Sequence, residues 1–206
     1  YLFANRQVAY EVLDGPFGTK LAKDITEKTG IRVMGWGENG GYRHYSSNRP
    51  MKSVDDLRGL KIRTMTNPIH MQIVRSLGAS PTPIAWADLY SSLQTGVVDG
   101  HVYSVLGWYV SEKFWQSLPP DLQKVVADAS GRLIKRNREI SVAQEAEDRR
   151  YLEGKGVTVV DVSISEKKRF QELTQAAAIE TLKKEVNAKL LDDLMAAVKT
   201  AEAKLN

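Results

Sequence analysis

Apolar residues recur at helical spacing from Gln7 to Leu13, and the run ends at Asp14-Gly15-Pro16, where glycine and proline break it. Thr19 to Thr29 reads as a second helix, stopped by Gly30, and Ile31 to Met34 as a short β-rich run. Ser53 followed by Val54, Asp55 and Asp56 has the chemistry of a helix start, a capping hydroxyl with acids in the first turn. Gly59 closes that short helix ahead of an apolar strand from Leu60 to Met65. Asn67-Pro68 opens the next helix, with Ile69, Ile73, Val74 and Leu77 on its buried face and Gly78 at its end. A third helix from about Ala87 to Thr95 stops at Gly96, before a strand at Val97-Val98. Strands alternating with helices predict an α/β fold joined by crossover connections.

Beyond Pro119-Pro120, only Gly131 interrupts a helical pattern that continues to Gly154, with Leu122, Val125, Val126, Ala129, Leu133, Ile140, Ala143 and Tyr151 recurring at helical intervals. At about 1.5 Å per residue this helix runs roughly 50 Å, longer than one small lobe. Val157 to Val162 then reads as a strand, and Glu166 to the C-terminus as one or two amphipathic helices.

With 206 residues and 42% apolar content, the chain can bury one core or two small lobes. It has no cysteine, so disulfides, thiolate zinc sites and cysteine nucleophiles are excluded. The net charge of +4 comes from lysines and arginines mixed among acids, without a basic block, so no nucleic-acid partner is expected and a mild preference for anionic ligands is. No apolar run approaches the roughly 20 residues needed to span a bilayer. The chain begins at Tyr1, within sequence that already reads as structured, so a mature or partial chain whose signal peptide lay upstream is expected.

Catalytic chemistry finds little support. His44, His70 and His101 are the available imidazoles, none lies in a metal-spaced cluster, and neither G-x-S-x-G nor H-E-x-x-H occurs. The expectation is a non-enzyme with no metal and no cofactor. Gly35-Trp-Gly37-Glu-Asn-Gly40 matches G-x-G-x-x-G, but a dinucleotide site needs a helix opening at the third glycine. The segment from Gly41 to Pro50 carries no helical stripe, which favours a flexible crossover between lobes.

Arg63 stands out because it follows Leu60 and Ile62, near the end of a buried strand, where open α/β sheets place their ligands. Its planar fork pairs with both oxygens of a carboxylate, a geometry lysine lacks. An interlobe salt bridge or a surface position is the alternative. Trp86, at a helix start, offers a flat apolar wall with one donor and pairs well with an arginine face, or else packs in the core. Asn67 reads as an N-cap, at a turn whose free amides could also face an anion.

Three segments together, Gly59-Leu-Lys-Ile-Arg63, Pro83-Ile-Ala-Trp86-Ala-Asp88-Leu-Tyr90 and Gly96-Val-Val-Asp99-Gly100, resemble the DctP-like solute-binding proteins of tripartite ATP-independent periplasmic (TRAP) transporters. The resemblance implies a two-lobed α/β periplasmic solute-binding fold in which the long helix braces both lobes. Residues 1–38 would be the remaining part of lobe I, 39–101 the ligand-binding core of lobe II, and 102–118 the return to lobe I. Residues 119–206 would hold the bracing helix, a strand and C-terminal helices shared between the lobes.

The same resemblance makes Arg63 the clamp for a ligand carboxylate and Arg43 a second arginine that assists it. It sets Trp86 where an aromatic packs against the ligand, and leaves Asp88 in the place of the family's usual glutamate. After Asp99-Gly100 the chain departs from the family pattern. Family members continue with a polar pair ending in a ligand-touching asparagine and a further strand-bearing stretch, whereas here His101 leads directly to Val102-Tyr103. The front of the first lobe also has no counterpart before Tyr1. The implied partners are a small carboxylate and the membrane permease subunits of a TRAP transporter, with the protein periplasmic and monomeric. A ligand-sensing regulatory domain of similar fold is the alternative.

Overall fold

In a computed structural model, residues 2–39, 44–102 and 106–205 are described. The first half of the chain runs through α1 (Arg6–Asp14), α2 (Pro16–Thr29), β1 (Ile31–Gly37), β2 (Tyr45–Ser47), a 3₁₀ turn (Val54–Leu57) and β3 (Lys61–Thr64). Then come α3 (Pro68–Ser76), β4 (Ser80–Pro83), a second 3₁₀ turn (Trp86–Asp88), α4 (Leu89–Gln94), β5 (Gly100–Val102) and β6 (Leu106–Ser111). Four helices finish it: α5 (Glu112–Ser117), α6 (Pro120–Gly154), α7 (Ile164–Leu182) and α8 (Ala188–Leu205). Among the described residues no helix is long and apolar enough to cross a membrane.

These elements form two compact units, one of Tyr1–Leu2, Arg43–Tyr103 and Leu152–Asp192, the other of Phe3–Tyr42, Ser104–Tyr151 and Asp193–Asn206. The first is built on a four-stranded sheet in the order β2-β5-β3-β4, with β3 parallel to β4 and β5 and β2 antiparallel to β5. Val54, Leu57, Leu60, Ile62, Val74, Leu77, Ala79 and Phe170 bury one another beside it, α3 lying against α7. The Asp56 carboxylate accepts the backbone N–H groups of Lys52 and Ser53, both at 2.9 Å, and these bonds hold it below the usual carboxylate range. β4 is an edge strand, and Pro81 and Pro83 leave it without two of its N–H groups, a placement an edge tolerates.

Two expected strands are absent. Val97 and Val98 lie in a loop, because the chain turns at Gly96 (φ 72°) and the Val98 amide bonds back to the Ser92 carbonyl at 3.2 Å. Val98 is nevertheless buried, and the strand begins at Gly100. Val157 to Val162 pairs with no strand among the described residues, and the Val157 amide closes the end of α6 on the Leu152 carbonyl at 3.0 Å. A β-rich composition makes a strand only where a ladder partner exists.

In the second unit β1 and β6 form an antiparallel ribbon with a register shift between Val33 and Gly35. Here the apparent G-x-G receives its physical explanation. A Cβ on Gly35 would stand 2.0 Å from Ile134 Cδ1, and one on Gly37 would stand 2.8 Å from Asn137 Oδ1. Both glycines therefore let α6 approach the strand, and they lie in β1, paired with Trp108 and Leu106, rather than at a phosphate-binding turn. β1 runs through the motif's first three residues, ending at Gly37.

Beside Ile134, the face that α6 turns inward is largely polar. Asn137 accepts the Glu38 amide at 2.7 Å and returns a bond to the Glu38 carbonyl at 3.1 Å. Arg138 reaches both Asp14 oxygens, at 2.6 and 2.8 Å, and the Trp36 carbonyl at 2.7 Å, while its guanidinium lies 4.0 Å above the Tyr10 ring. Arg6 bridges Glu38 at 3.2 Å and Glu145 at 3.0 Å, and the Tyr10 hydroxyl donates to the buried Glu38 carboxylate. Burial, then the bond to Glu38, pushes the Tyr10 phenol up to about 12. Of the apolar positions that recur along the helix, Leu122, Val125, Leu133, Ile140 and Tyr151 are exposed and Val126 is half-buried.

Candidate functional site

β3 enters the first unit's sheet between β5 and β4, so successive side chains leave opposite faces of a central strand. Ile62 goes to the core, and Arg63 is carried out at the strand's end on the other face. The parallel register pairs Arg63 with Thr82 and Thr64 with Pro83, and the Ile84 amide extends it by bonding to the Thr64 carbonyl at 3.3 Å. That register places the Ile84 carbonyl against Arg63, whose Nε donates to it at 2.8 Å. The next turn of chain puts the Trp86 ring 5.6 Å from the guanidinium carbon.

Arg63 is 4% exposed although it carries a full charge, while Trp86 is 61% exposed. A buried guanidinium is costly unless it is hydrogen-bonded and has an anion or a π-face for its charge. The bond through Nε fixes the plane of the fork and turns the Nη1 and Nη2 edge away from the carbonyl, the edge that matches a carboxylate bidentately. Arg63 and Trp86 are thus brought together, as an arginine face on an indole face.

Asn67 is placed differently. Its side-chain oxygen accepts the Ile69 amide at 3.0 Å and the His70 amide at 3.1 Å, so it caps α3. Arg43 lies outside the described residues. The Asp99 carboxylate accepts the Lys61 amide at 2.8 Å and the Asn48 side-chain amide at 3.0 Å, tying the edge of β3 to the chain after β2. Asp88 is exposed, and so is Tyr90. No group of three metal-ligating side chains gathers among the described residues.

The Ile84 carbonyl was not legible in the sequence, because any residue supplies a backbone oxygen. Nor was the Thr64 hydroxyl, which is buried beside Arg63 in the chain without a hydrogen-bond partner. The signal that would have found the carbonyl is the β3–β4 register, and prolines at positions 81 and 83 concealed β4 as a strand.

At the end of this parallel strand the chain thus holds a guanidinium oriented by a backbone carbonyl and backed by an aromatic face. The chain belongs to the bacterial extracellular solute-binding protein family 7 (DctP), which it matches over residues 1–102 and 100–185. It is 33% identical over 186 residues to a solute-binding protein of Verminephrobacter eiseniae, covering 78% of this chain and 55% of that one. It is 30% identical over 210 residues to one of Roseobacter denitrificans, covering 90% and 63%. The chain therefore spans between about half and two-thirds of these relatives' lengths. The sugar acid binding protein of Advenella mimigardefordensis, solved in complex with galactonate, superposes with a TM-score of 0.85 at 26% identity, over 98% of this chain and 72% of that one. The α/β fold of the two-lobed TRAP solute-binding proteins, expected from the sequence, is thereby established.

Proposed function

We propose that this chain captures a small organic acid outside the cytoplasm, in the periplasm, and delivers it to a TRAP-type membrane transporter without chemically changing it. The observation that carries this reading is the buried Arg63, held through Nε by the Ile84 carbonyl and backed by Trp86. Arg63 anchors the ligand carboxylate through its two Nη atoms, and Trp86 supplies an apolar wall. Arg43 assists from the segment beyond the described residues, and Asn67 contributes by fixing the helix start next to Arg63's strand. The galactonate held by the Advenella protein makes sugar acids the first class to try.

Charge-assisted bonds are worth roughly 1.5–3 kcal/mol each, and micromolar affinity needs about −8 kcal/mol, so one bidentate anchor with apolar burial approaches it. Calorimetric titration with galactonate, galacturonate and succinate tests the assignment. Arg63→Ala is expected to weaken the best of these by about 2–5 kcal/mol, because it leaves a carboxylate without its partner. Arg63→Lys keeps the charge and loses the fork, and is expected to bind more weakly than the native chain. An Arg63→Ala protein that folds and binds with native affinity overturns the clamp.

A further inference from the structure

The segment that brings the Ile84 carbonyl to Arg63 is stiffened by its own covalent structure. β4 reads Ser80-Pro81-Thr82-Pro83. Each proline ring locks its own φ at about −65°, and each bars the residue before it from the helical region, so Ser80 and Thr82 are confined to extended conformations. All four residues are thereby restricted, two by their own ring and two by the ring that follows. β3 supplies the register of β4, and the prolines supply its stiffness.

They do so without weakening the pairing. The Ser80 amide donates to the Leu60 carbonyl at 2.8 Å and the Ile84 amide to the Thr64 carbonyl at 3.3 Å, so the even-numbered residues turn their backbone groups toward β3. Peptide groups alternate sides along a strand, which points the nitrogens of Pro81 and Pro83 away from β3, at the outer edge of the sheet. No ladder bond is lost at either ring. Pro83 is exposed, Pro81 is half-buried, and neither belongs to the buried core of the unit.

We propose that Pro81 and Pro83 are positioning residues for the carboxylate clamp: they hold the Ile84 carbonyl still, and that carbonyl holds the plane of the Arg63 guanidinium through Nε at 2.8 Å. The inference rests on Arg63 being the anchor for the acid. Ile84 lies one residue past Pro83, at the end of a four-residue edge strand whose closing bond to β3 is 3.3 Å long. Such strand ends open readily. A carbonyl free to wander would let the guanidinium turn among several orientations before a ligand arrived, whereas a clamp set in advance spares the ligand the entropy of ordering it. Trp86, two residues further on, is delivered by the same stiff segment to its place 5.6 Å from the guanidinium carbon.

Replacing proline by alanine where the backbone is compatible releases freedom worth roughly two- to fivefold in an equilibrium constant. In calorimetric titration of the full chain, Pro83→Ala should therefore weaken the best of galactonate, galacturonate and succinate by roughly two- to fivefold. Pro83→Gly, or Pro81→Ala together with Pro83→Ala, should weaken it further. In a chain that already carries Arg63→Lys, which has no Nε for the carbonyl to aim, Pro83→Ala should leave the remaining affinity unchanged. A second measurement needs no ligand. Proton exchange at Arg63 Nε, followed by nuclear magnetic resonance and assigned by its loss in Arg63→Lys, should quicken roughly two- to fivefold in Pro83→Ala. The Arg32 Nε, bonded to Glu112 at 2.6 Å, and the Lys61 amide, bonded to Asp99 at 2.8 Å, should keep their rates. General loosening of the fold would move all three. Native affinity in Pro83→Gly, or an Arg63 Nε proton indifferent to Pro83→Ala, overturns the inference and leaves the anchor standing. An Arg63→Ala chain that binds as the native one does removes the anchor and the inference with it, a failure told apart by the Arg63 Nε proton of Pro83→Ala, which would still respond.

Discussion

Gly35→Ala is the sharpest probe of how α6 is seated on β1. The new methyl group would stand 2.0 Å from Ile134 Cδ1 and 3.3 Å from its Cγ1, so the isoleucine must leave its position. Overpacking of this kind costs about 1–3 kcal/mol. Gly35 also sits at φ 156°, a region used almost solely by glycine, which adds about 1 kcal/mol. The sum, about 2–4 kcal/mol, is a large share of a typical total stability of 5–15 kcal/mol. Ile134→Val removes the clashing Cδ1 and by itself costs about 0.5–1.5 kcal/mol. Because the two groups share one space, the double variant recovers about 1–2 kcal/mol relative to the sum of the single changes. Urea unfolding followed by fluorescence suits the test, because Trp36, Trp108 and Trp115 all belong to the unit that holds β1 and α6. Strict additivity of the two substitutions would refute the reasoning, since it would mean that strand and helix do not meet at this point.

Three more outcomes are expected. Trp86 emission should shift when a bound acid takes the Arg63 fork, and Trp86→Phe should remove most of that signal in a titration with galactonate; a full native signal from Trp86→Phe would place the reporter elsewhere. Asn67→Ala should destabilise the chain by about 1 kcal/mol in chemical denaturation through loss of the α3 cap, yet leave ligand affinity within about threefold; a larger affinity loss would assign Asn67 a direct ligand contact. Tyr10 keeps its proton to about pH 12 when folded and loses it near 10 when unfolded, so it stabilises fully below pH 10 and progressively less as pH rises through 12. Tyr10→Phe should therefore flatten the alkaline fall in stability between those limits, and an unchanged slope would remove the phenol from the buried cluster.

Punctuation and strand chemistry were readable from the residues. Gly30 and Gly78 end α2 and α3 in left-handed conformations, Asn67 caps α3, and Leu60 with Ile62 carries β3 into the core, as their residue types require. α2 starts at Pro16, three residues before the helical pattern becomes evident, because proline suits the first turn of a helix. Pairing was harder to read. β4 is a Ser-Pro-Thr-Pro segment that no propensity marks as a strand, and it exists because β3 offers it a parallel partner. Val157 to Val162 has the converse fate. At the site, Arg63 and Trp86 were legible because their chemistry is carried by side chains, whereas the carbonyl that aims the guanidinium is supplied by register.

Hydrophobic periodicity located α6 and its length, but Leu122, Val125, Leu133, Ile140 and Tyr151 lie exposed, while Ile134 reaches β1. The unit's interior accepts Asn137, Arg138 and Glu145 because each finds a hydrogen-bonded or charged partner on α1 or just past the end of β1, which removes most of the penalty of burying it. A pattern of residue types records what dislikes water, not which polar groups have already been satisfied.

The seam beneath α6 has a mechanical consequence. A greasy contact can slide by a turn and find another comfortable fit, but one made of forked and reciprocal bonds is keyed like a lock. Shifting the helix by about 5.4 Å would strand the amide of Glu38, the carboxylates of Asp14 and Glu145 and the guanidinium of Arg138 all at once. Any force applied along its axis is therefore transmitted by a rigid rod instead of being absorbed by slippage.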